Sequence, residues 1–250
     1  MKIFFLICWR NLWRHKRRSL IVISSVAVGV FAIILAMGLI NGIMVQMVDN
    51  TINTSLGHLS IQRKGFQGSV RLQYAFAPGD DIARALKASG ASIKGYAPRV
   101  KVKGMVRSSE SSRGVLIVGI DPVKERSVSY LYNYTSKEEG SSFLGDPVAN
   151  DILISKSMAD RMELVPGDKL VLMVQNAKGE MSGTGMTVRG VFTTPVDAFD
   201  RYTVFTGIDR LRELTGTPGL VSEINAVLTD RNAAVGAKKK IGAMISSPDI

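Results

Sequence analysis

Residues 19–48 read SLIVISSVAVGVFAIILAMGLINGIMVQMV, thirty residues without a charge. About 20 apolar residues cross the hydrocarbon core of a bilayer. This run is longer than that, so it can tilt or continue as helix beyond the membrane. Arg14-His15-Lys16-Arg17-Arg18 precedes it and Asp49-Asn50-Thr51 follows it. Positive charge stays on the cytoplasmic side of a spanning helix, which places the N-terminus inside and the chain after Asp49 outside. A cleaved signal peptide shares the basic start and could use the small residues at Ala36-Met37-Gly38. Its apolar core, however, is about 7–15 residues, roughly half of this run. The segment is therefore read as an uncleaved anchor.

The charge distribution agrees with a membrane protein rather than a nucleic-acid binder. The chain has 250 residues, 32 Lys and Arg against 21 Asp and Glu, for a net charge of +11. Six of the basic residues (Lys2, Arg10, Arg14, Lys16, Arg17 and Arg18) come before the first acid, Asp49. The remaining 26 face all 21 acids, an ordinary balance for a globular domain. A basic excess concentrated ahead of one apolar run is a topogenic signal, not a footprint for phosphodiester.

Residues 2–18 have the pattern of a separate helix. At 100° per residue, Arg10, Arg14, Arg17 and Arg18 share one side, and Phe4, Phe5, Leu6, Cys8, Trp9, Leu12 and Trp13 the other. Ile3, Ile7, Lys2 and Lys16 break the pattern. A basic amphipathic helix carrying Trp9 and Trp13 lies in the membrane interface, with Arg10, Arg14, Lys16, Arg17 and Arg18 near lipid phosphates. Cys8 is read as a passive apolar residue. Within the spanning run Ser25, Gly29, Ala32 and Ala36 form one narrow stripe, and Gly38 and Gly42 a G-x-x-x-G on another face. Small residues let helix backbones approach closely in a bilayer. Two such faces favour a helix packed among others over a lone anchor.

The rest of the chain is mixed. His58–Arg63 alternates as a strand, and Asp80 or Asp81 can cap a short helix from Ile82 to Ala88. Val100–Lys103 and Met105–Arg107 alternate at period two, with Gly104 expected as a bulge between them. Val115–Val118 is a buried strand ended by Gly119-Ile120-Asp121-Pro122. Ile152–Ile154 is a short strand, after which Ser155 caps a helix running to Glu163. Pro166-Gly167-Asp168 is a turn into strand Lys169–Val174. Lys178-Gly179 marks a hairpin whose return strand is Thr187–Phe192, with Gly183 and Gly185 at a flexible tip. Strand Tyr202–Phe205, helix Ile208–Leu214, strand Ile224–Leu228 and a helix from Asp230 to about Ser246 complete the reading. The fold class is α+β: one N-terminal transmembrane helix, then an extracytoplasmic mixed α/β domain with a β-rich inserted subdomain. The expected organisation is a cytoplasmic basic helix at 1–18, a span at 19–48 and a periplasmic core domain at 49–250, its two ends forming the α/β part and the insertion covering approximately 98–200.

Several chemistries have no carrier in this sequence. With one cysteine, no internal disulfide can form and no Cys-based zinc site can be built. The pattern G-x-x-x-x-G-K-[ST] is missing, so this chain should not hydrolyse ATP. Neither G-x-S-x-G nor H-E-x-x-H occurs. His58 has a strand-like setting and no sequence partner, and reads as structural. Asp197 and Asp200 lie in the stretch Pro195–Arg201 and read as a turn with an Asp–Arg contact rather than an acid–base pair. Lys238-Lys239-Lys240 reads as a solvated helix face. No catalytic, cofactor or metal residue is assigned, and the chain is not expected to be an enzyme.

The ordered motifs resemble a known family. Trp9-Arg10-Asn11-Leu12-Trp13-Arg14-His15-Lys16-Arg17-Arg18, directly before a spanning helix, is similar to the start of bacterial ABC-transporter permeases of the MacB and LolC/LolE (lipoprotein-releasing, FtsX-like) type. Gly57-His58-Leu59-Ser60-Ile61-Gln62, Val118-Gly119-Ile120-Asp121-Pro122 and Ile152-Leu153-Ile154-Ser155-Lys156 follow. Pro166-Gly167-Asp168-Lys169-Leu170, Val188-Arg189-Gly190-Val191-Phe192 and Phe199-Asp200-Arg201 complete the set. The resemblance implies a MacB-type periplasmic core domain, three more spanning helices beyond these 250 residues, and an ABC ATPase as a separate subunit. It also implies a second permease copy or paralogue as partner. It implies, too, that work is done by mechanotransmission, in which nucleotide-driven dimerisation in the cytoplasm moves the helices and these move the periplasmic domain. Membrane lipid is a further partner and nucleic acid is not. The residues select no substrate among lipoprotein, peptide, antibiotic and lipid. A single-pass periplasmic binding or adaptor protein without an ATPase is the competing class.

The charge step predicts topology. In intact cells a cysteine placed at Ser141 should react with a membrane-impermeant thiol reagent while native Cys8 stays protected; the reverse result would invert the orientation.

Overall fold

In the computed structural model, residues 14, 16–51, 57–66, 70–88, 93–137, 139–229 and 234–244 are described. The chain divides into two compact units, residues 1–49 and 50–250.

The first unit is dominated by helix α1, Lys16–Thr51. At 1.5 Å per residue its 36 residues reach about 54 Å, well beyond a hydrocarbon core of about 30 Å. Its apolar side chains are exposed, Leu20 by 70% and Phe31 by 65%. Two hydroxyls that lipid would not solvate are satisfied within the helix. Ser24 Oγ donates to the Ile21 carbonyl at 3.0 Å and Ser25 Oγ to that of Val22 at 2.9 Å. Of the expected interface helix over residues 2–18, residues 2–13 and 15, with Cys8, Trp9, Arg10 and Trp13, fall outside the described residues, and Lys16–Arg18 form the first turn of α1.

The second unit is built on one eight-stranded sheet in the order β1-β8-β2-β3-β7-β4-β6-β5. Its strands are β1 (Leu59–Gln62), β2 (Ile93–Arg107), β3 (Ser112–Ile120), β4 (Asp151–Ser155), β5 (Lys169–Gln175), β6 (Met181–Phe192), β7 (Thr203–Gly207) and β8 (Glu223–Leu228). Strand β2 is the longest, at 15 residues, and it serves two structures. Its first half pairs antiparallel with β8, Tyr96 opposite Ala226 and Arg99 opposite Glu223. Its second half pairs with β3 on one side, and on the other Gly104–Arg107 lies against Val171–Val174 of β5. That last pairing closes β2, β3, β7, β4, β6 and β5 into a six-stranded barrel, which removes the exposed edges of an open sheet. Pro98 has no N–H to give and sits where β2 is paired on one side only.

Alternation fills the barrel. Val100, Val102 and Val106 of β2, Ile117 of β3, Ile152 and Ile154 of β4, and Leu170, Leu172 and Val174 of β5 belong to one buried cluster. Strand β6 contributes Met186 and Val188, then Val191, because the register slips at Arg189: Ile152 pairs with Val188 but Leu153 with Gly190. This bulge turns Phe192 to the outer wall, where it meets Phe199 and Phe205. A second cluster, separate from the barrel, joins β1 and β8 to helices α2 (Asp80–Ala88) and α8 (Ala234–Met244) through Ile61, Ile224, Ile82, Leu86 and Ile241.

Local signals account for the connections. Helix α3 (Pro122–Val128) starts with Pro at its first turn, and Asp121 Oδ1 accepts from the Val123 and Lys124 amides. It is followed by the short α4 (Leu131–Tyr134). Ser155 caps α5 (Lys156–Met162), accepting from the Met158 amide at 3.1 Å, as the sequence predicts. In the β5–β6 turn, Asn176 Oδ1 accepts from the amides of Lys178 and Glu180, both at 2.9 Å. The α6 turn (Asp197–Asp200) precedes β7, and α7 (Ile208–Thr215) follows it.

Three expectations are corrected. Helix α2 begins at Asp80, so both acids lie in its first turn. Gly183 and Gly185 are within β6, opposite Met173 and Val171, because the hairpin strand starts at Met181. Gly104 is not a bulge, since the β2–β3 register is unbroken from Arg99 to Arg107. A Cβ there would collide with Ile117 Cδ1 and lie 2.5 Å from the Met173 carbonyl oxygen. Glycine is required because two strands close the barrel at this point. Gly104→Ala should therefore cost about 1–3 kcal/mol, the usual range for overpacking a filled core, measured by urea unfolding against wild type.

Candidate functional site

In the helix unit, Arg14, Lys16, Arg17 and Arg18 are exposed at the start of the apolar run. The small-residue positions Ser25, Gly29, Ala32, Ala36, Gly38 and Gly42 are exposed too, and an added Cβ at Gly29, Gly38 or Gly42 would meet nothing within 4 Å.

In the second unit, the joint between barrel and α/β layer is a buried charge cluster. Arg99 and Glu125 are 2% and 1% exposed, and Glu223 is fully buried. Arg99 donates to both oxygens of Glu125, Nη2 to Oε1 at 2.5 Å and Nε to Oε2 at 3.2 Å. Glu223 accepts from Lys101 Nζ at 2.7 Å, Asn225 Nδ2 at 2.9 Å and Gln62 Nε2 at 3.2 Å, and lies 3.8 Å from Arg99 Nη1. Burial works against the charged guanidinium of Arg99, but the charge and hydrogen bonds of Glu125 and the charge of Glu223 together outweigh it and leave the group harder to deprotonate than a free arginine. Four elements are tied here: β1 through Gln62, β2 through Arg99 and Lys101, α3 through Glu125 and β8 through Glu223 and Asn225. Alternation in β2 hinted at Lys101, but Glu125 belongs to a helix that periodicity did not reveal.

Asp197 and Asp200 open and close the α6 turn rather than meeting an arginine in a loop. Asp200 accepts from the Thr194 amide at 2.9 Å and the Thr194 hydroxyl at 2.7 Å. Burial pushes its carboxyl up, the Thr194 bonds pull it down, and neighbouring Asp197 adds to the rise. The pair is a local tie, not an acid–base couple. Lys238, Lys239 and Lys240 are exposed on α8. Among the described residues no group of three His, Cys, Asp or Glu is placed to hold a metal.

A cavity of about 530 Å³ opens where β8 ends. His58, Lys94, Arg126, Tyr130, Tyr132 and Asn133 are among its lining residues, with Ser127–Ser129 and Val227–Thr229. His58 is structural, as expected, in that its Nδ1 accepts from the Leu228 amide at 3.0 Å. The Arg126 guanidinium lies 4.5 Å from the centre of the Tyr132 ring.

The model of the MacB-like periplasmic core domain matches residues 19–244, from the apolar helix to the end of α8. The chain belongs to this family. It is a domain of MacB/FtsX-like ABC-transporter permeases, a transport component rather than a classical enzyme. Among solved structures, the periplasmic region of MacB from Actinobacillus actinomycetemcomitans is similar at a TM-score of 0.50 and 12% identity, over 74% of this chain and 80% of that one. This likeness shows the shared fold. The extracellular domain of the noncanonic ABC-type transporter YknZ from Gram-positive bacteria aligns at a TM-score of 0.49 and 14% identity, over 74% and 92% of the two chains. No curated protein sequence matches the chain significantly.

The buried cluster generates a stability prediction for this MacB-like domain. Glu125→Gln leaves Arg99 buried without its carboxylate and should cost about 3–5 kcal/mol, the usual penalty for breaking a buried pair. The double variant Arg99→Met, Glu125→Leu should recover most of that loss, because Glu223 keeps Lys101. Unfolding of the single and double variants checks both statements.

Proposed function

We propose that this chain is the membrane subunit of a mechanotransmitting ABC exporter, in which ATP hydrolysis by a separate subunit is converted into movement of the extracytoplasmic domain. The observation that carries this reading is the family match over residues 19–244, which takes the apolar helix and the mixed domain as one unit. The helix suits such a role because it is unbroken from Lys16 to Thr51 and can carry a displacement along its whole length. Residues 1–18 form the cytoplasmic interface helix, 19–48 the span and 49–250 the extracytoplasmic domain, with residues 98–200 as the β-rich insertion. The anchor sits in the inner membrane with its N-terminus in the cytoplasm. The stripes Ser25/Gly29/Ala32/Ala36 and Gly38/Gly42 receive other spanning helices or those of a second permease copy. A lipoprotein-releasing system is one exporter of this kind.

Tagged chain drawn from native membranes in mild detergent should bring down an ABC ATPase in stoichiometric amount. ATP with vanadate should then change the proteolysis pattern of residues 49–250. Recovery without an ATPase, and a pattern indifferent to nucleotide, would overturn the exporter reading in favour of a single-pass adaptor.

A further inference from the structure

The cavity at the end of β8 takes no part in the exporter reading, and its chemistry is one-sided. Lys94 enters from the start of β2, Arg126 from α3, Tyr130 from the α3–α4 turn and Tyr132 from α4. Among the described residues, no Asp or Glu lines it. Because His58 Nδ1 already accepts the Leu228 amide at 3.0 Å, the neutral ring carries its proton on Nε2 and adds a donor. The Arg126 guanidinium is held before any ligand arrives, 4.5 Å from the Tyr132 ring centre and 5.7 Å from that of Phe143. A cavity of about 530 Å³ is in the size range of small-molecule sites.

We propose that this cavity binds the phosphate group of a phosphate monoester. Two cations with no acid among the described lining residues match the charge of a monoester dianion, whereas a carboxylate would leave one cation without a counter-charge. Arg126 offers a planar fork to two phosphate oxygens, and Lys94 a point charge to the third. The tyrosine rings, Val227 and Leu228 provide an apolar wall for the organic part of the ester. The site needs no ATPase, so it stands or falls apart from the exporter reading. The ester has two sources, a soluble metabolite or the headgroup of a monoester phospholipid.

The test uses the full chain in nanodiscs. In the first arm the lipid is phosphatidylcholine and glycerol 3-phosphate is titrated by calorimetry, with acetate as the monoanion control. In the second arm the nanodisc holds nine parts phosphatidylcholine to one part phosphatidic acid. Both arms record acetylation of Lys94 against exposed Lys239 by mass spectrometry. Glycerol 3-phosphate should bind more tightly than acetate, and the double variant Lys94→Gln, Arg126→Gln should weaken it by at least about tenfold. Slower Lys94 labelling with glycerol 3-phosphate identifies a soluble ester. Slower labelling with phosphatidic acid alone identifies a lipid headgroup. Unchanged Lys94 labelling in both arms overturns the proposal, as does equal affinity of a folded variant and wild type. If the variant unfolds, the wild-type labelling decides by itself.

Discussion

The second unit depends on one strand having two sets of neighbours. From Ile93 to Arg99, β2 belongs to the layer formed with β8 and β1; from Gly104 to Arg107 it is a stave of the barrel, between β3 and β5. No loop intervenes, so the two parts share a backbone. A bend between them would have to break ladder hydrogen bonds, since β3 pairs with β2 through every residue from Arg99 to Arg107. The barrel interior and the α/β layer keep separate apolar clusters, and what bridges them is the strand and the charges mounted on it.

Those charges set a geometric condition on the joint that an apolar contact would not. Apolar packing tolerates sliding; a bidentate Arg99–Glu125 pair tolerates little, because both hydrogen bonds fail together when the guanidinium turns. Arg99 faces Glu223 across the β2–β8 register, and Glu125 comes from the helix that immediately follows β3. With Gln62 of β1 on Glu223, the cluster thus fixes four elements against one another at the point where the sheet changes from open to closed. Desolvating these groups costs stability. We read the retained cost as specification of register.

Local chemistry made much of this fold legible in advance. Ser155 before Lys156, the Pro166–Asp168 turn and Lys178-Gly179 each place an element boundary through a capping or turn residue, and the structure keeps all three. Asp121-Pro122 carries an equally good helix-start signal, yet it is read only as the end of a strand, with no helix assigned to the seven residues Pro122–Val128. The early part of β2 was invisible because Lys94, Gly95 and Pro98 are poor strand formers that the β8 pairing overrides. Closure by Gly104–Arg107 against Val171–Val174 was out of reach, since nothing local states which distant strand will pair. The same limit hid the cavity, which is assembled from the chain around His58, Lys94, Arg126–Asn133 and Val227–Thr229.

Gly104 and Arg99 divide the labour along β2. Glycine at 104 concedes a side chain so that the backbone of β5 can approach, and the barrel closes there without a bulge. Arginine at 99, five residues earlier, does the opposite and fills the joint with a long charged group that only matched partners can accommodate. A bulge at 104 would have added twist between the two. The unbroken register instead carries β2 from Arg99 to the closing pair with no inserted residue, so the side of the strand that each residue faces at the joint is kept through to the barrel wall.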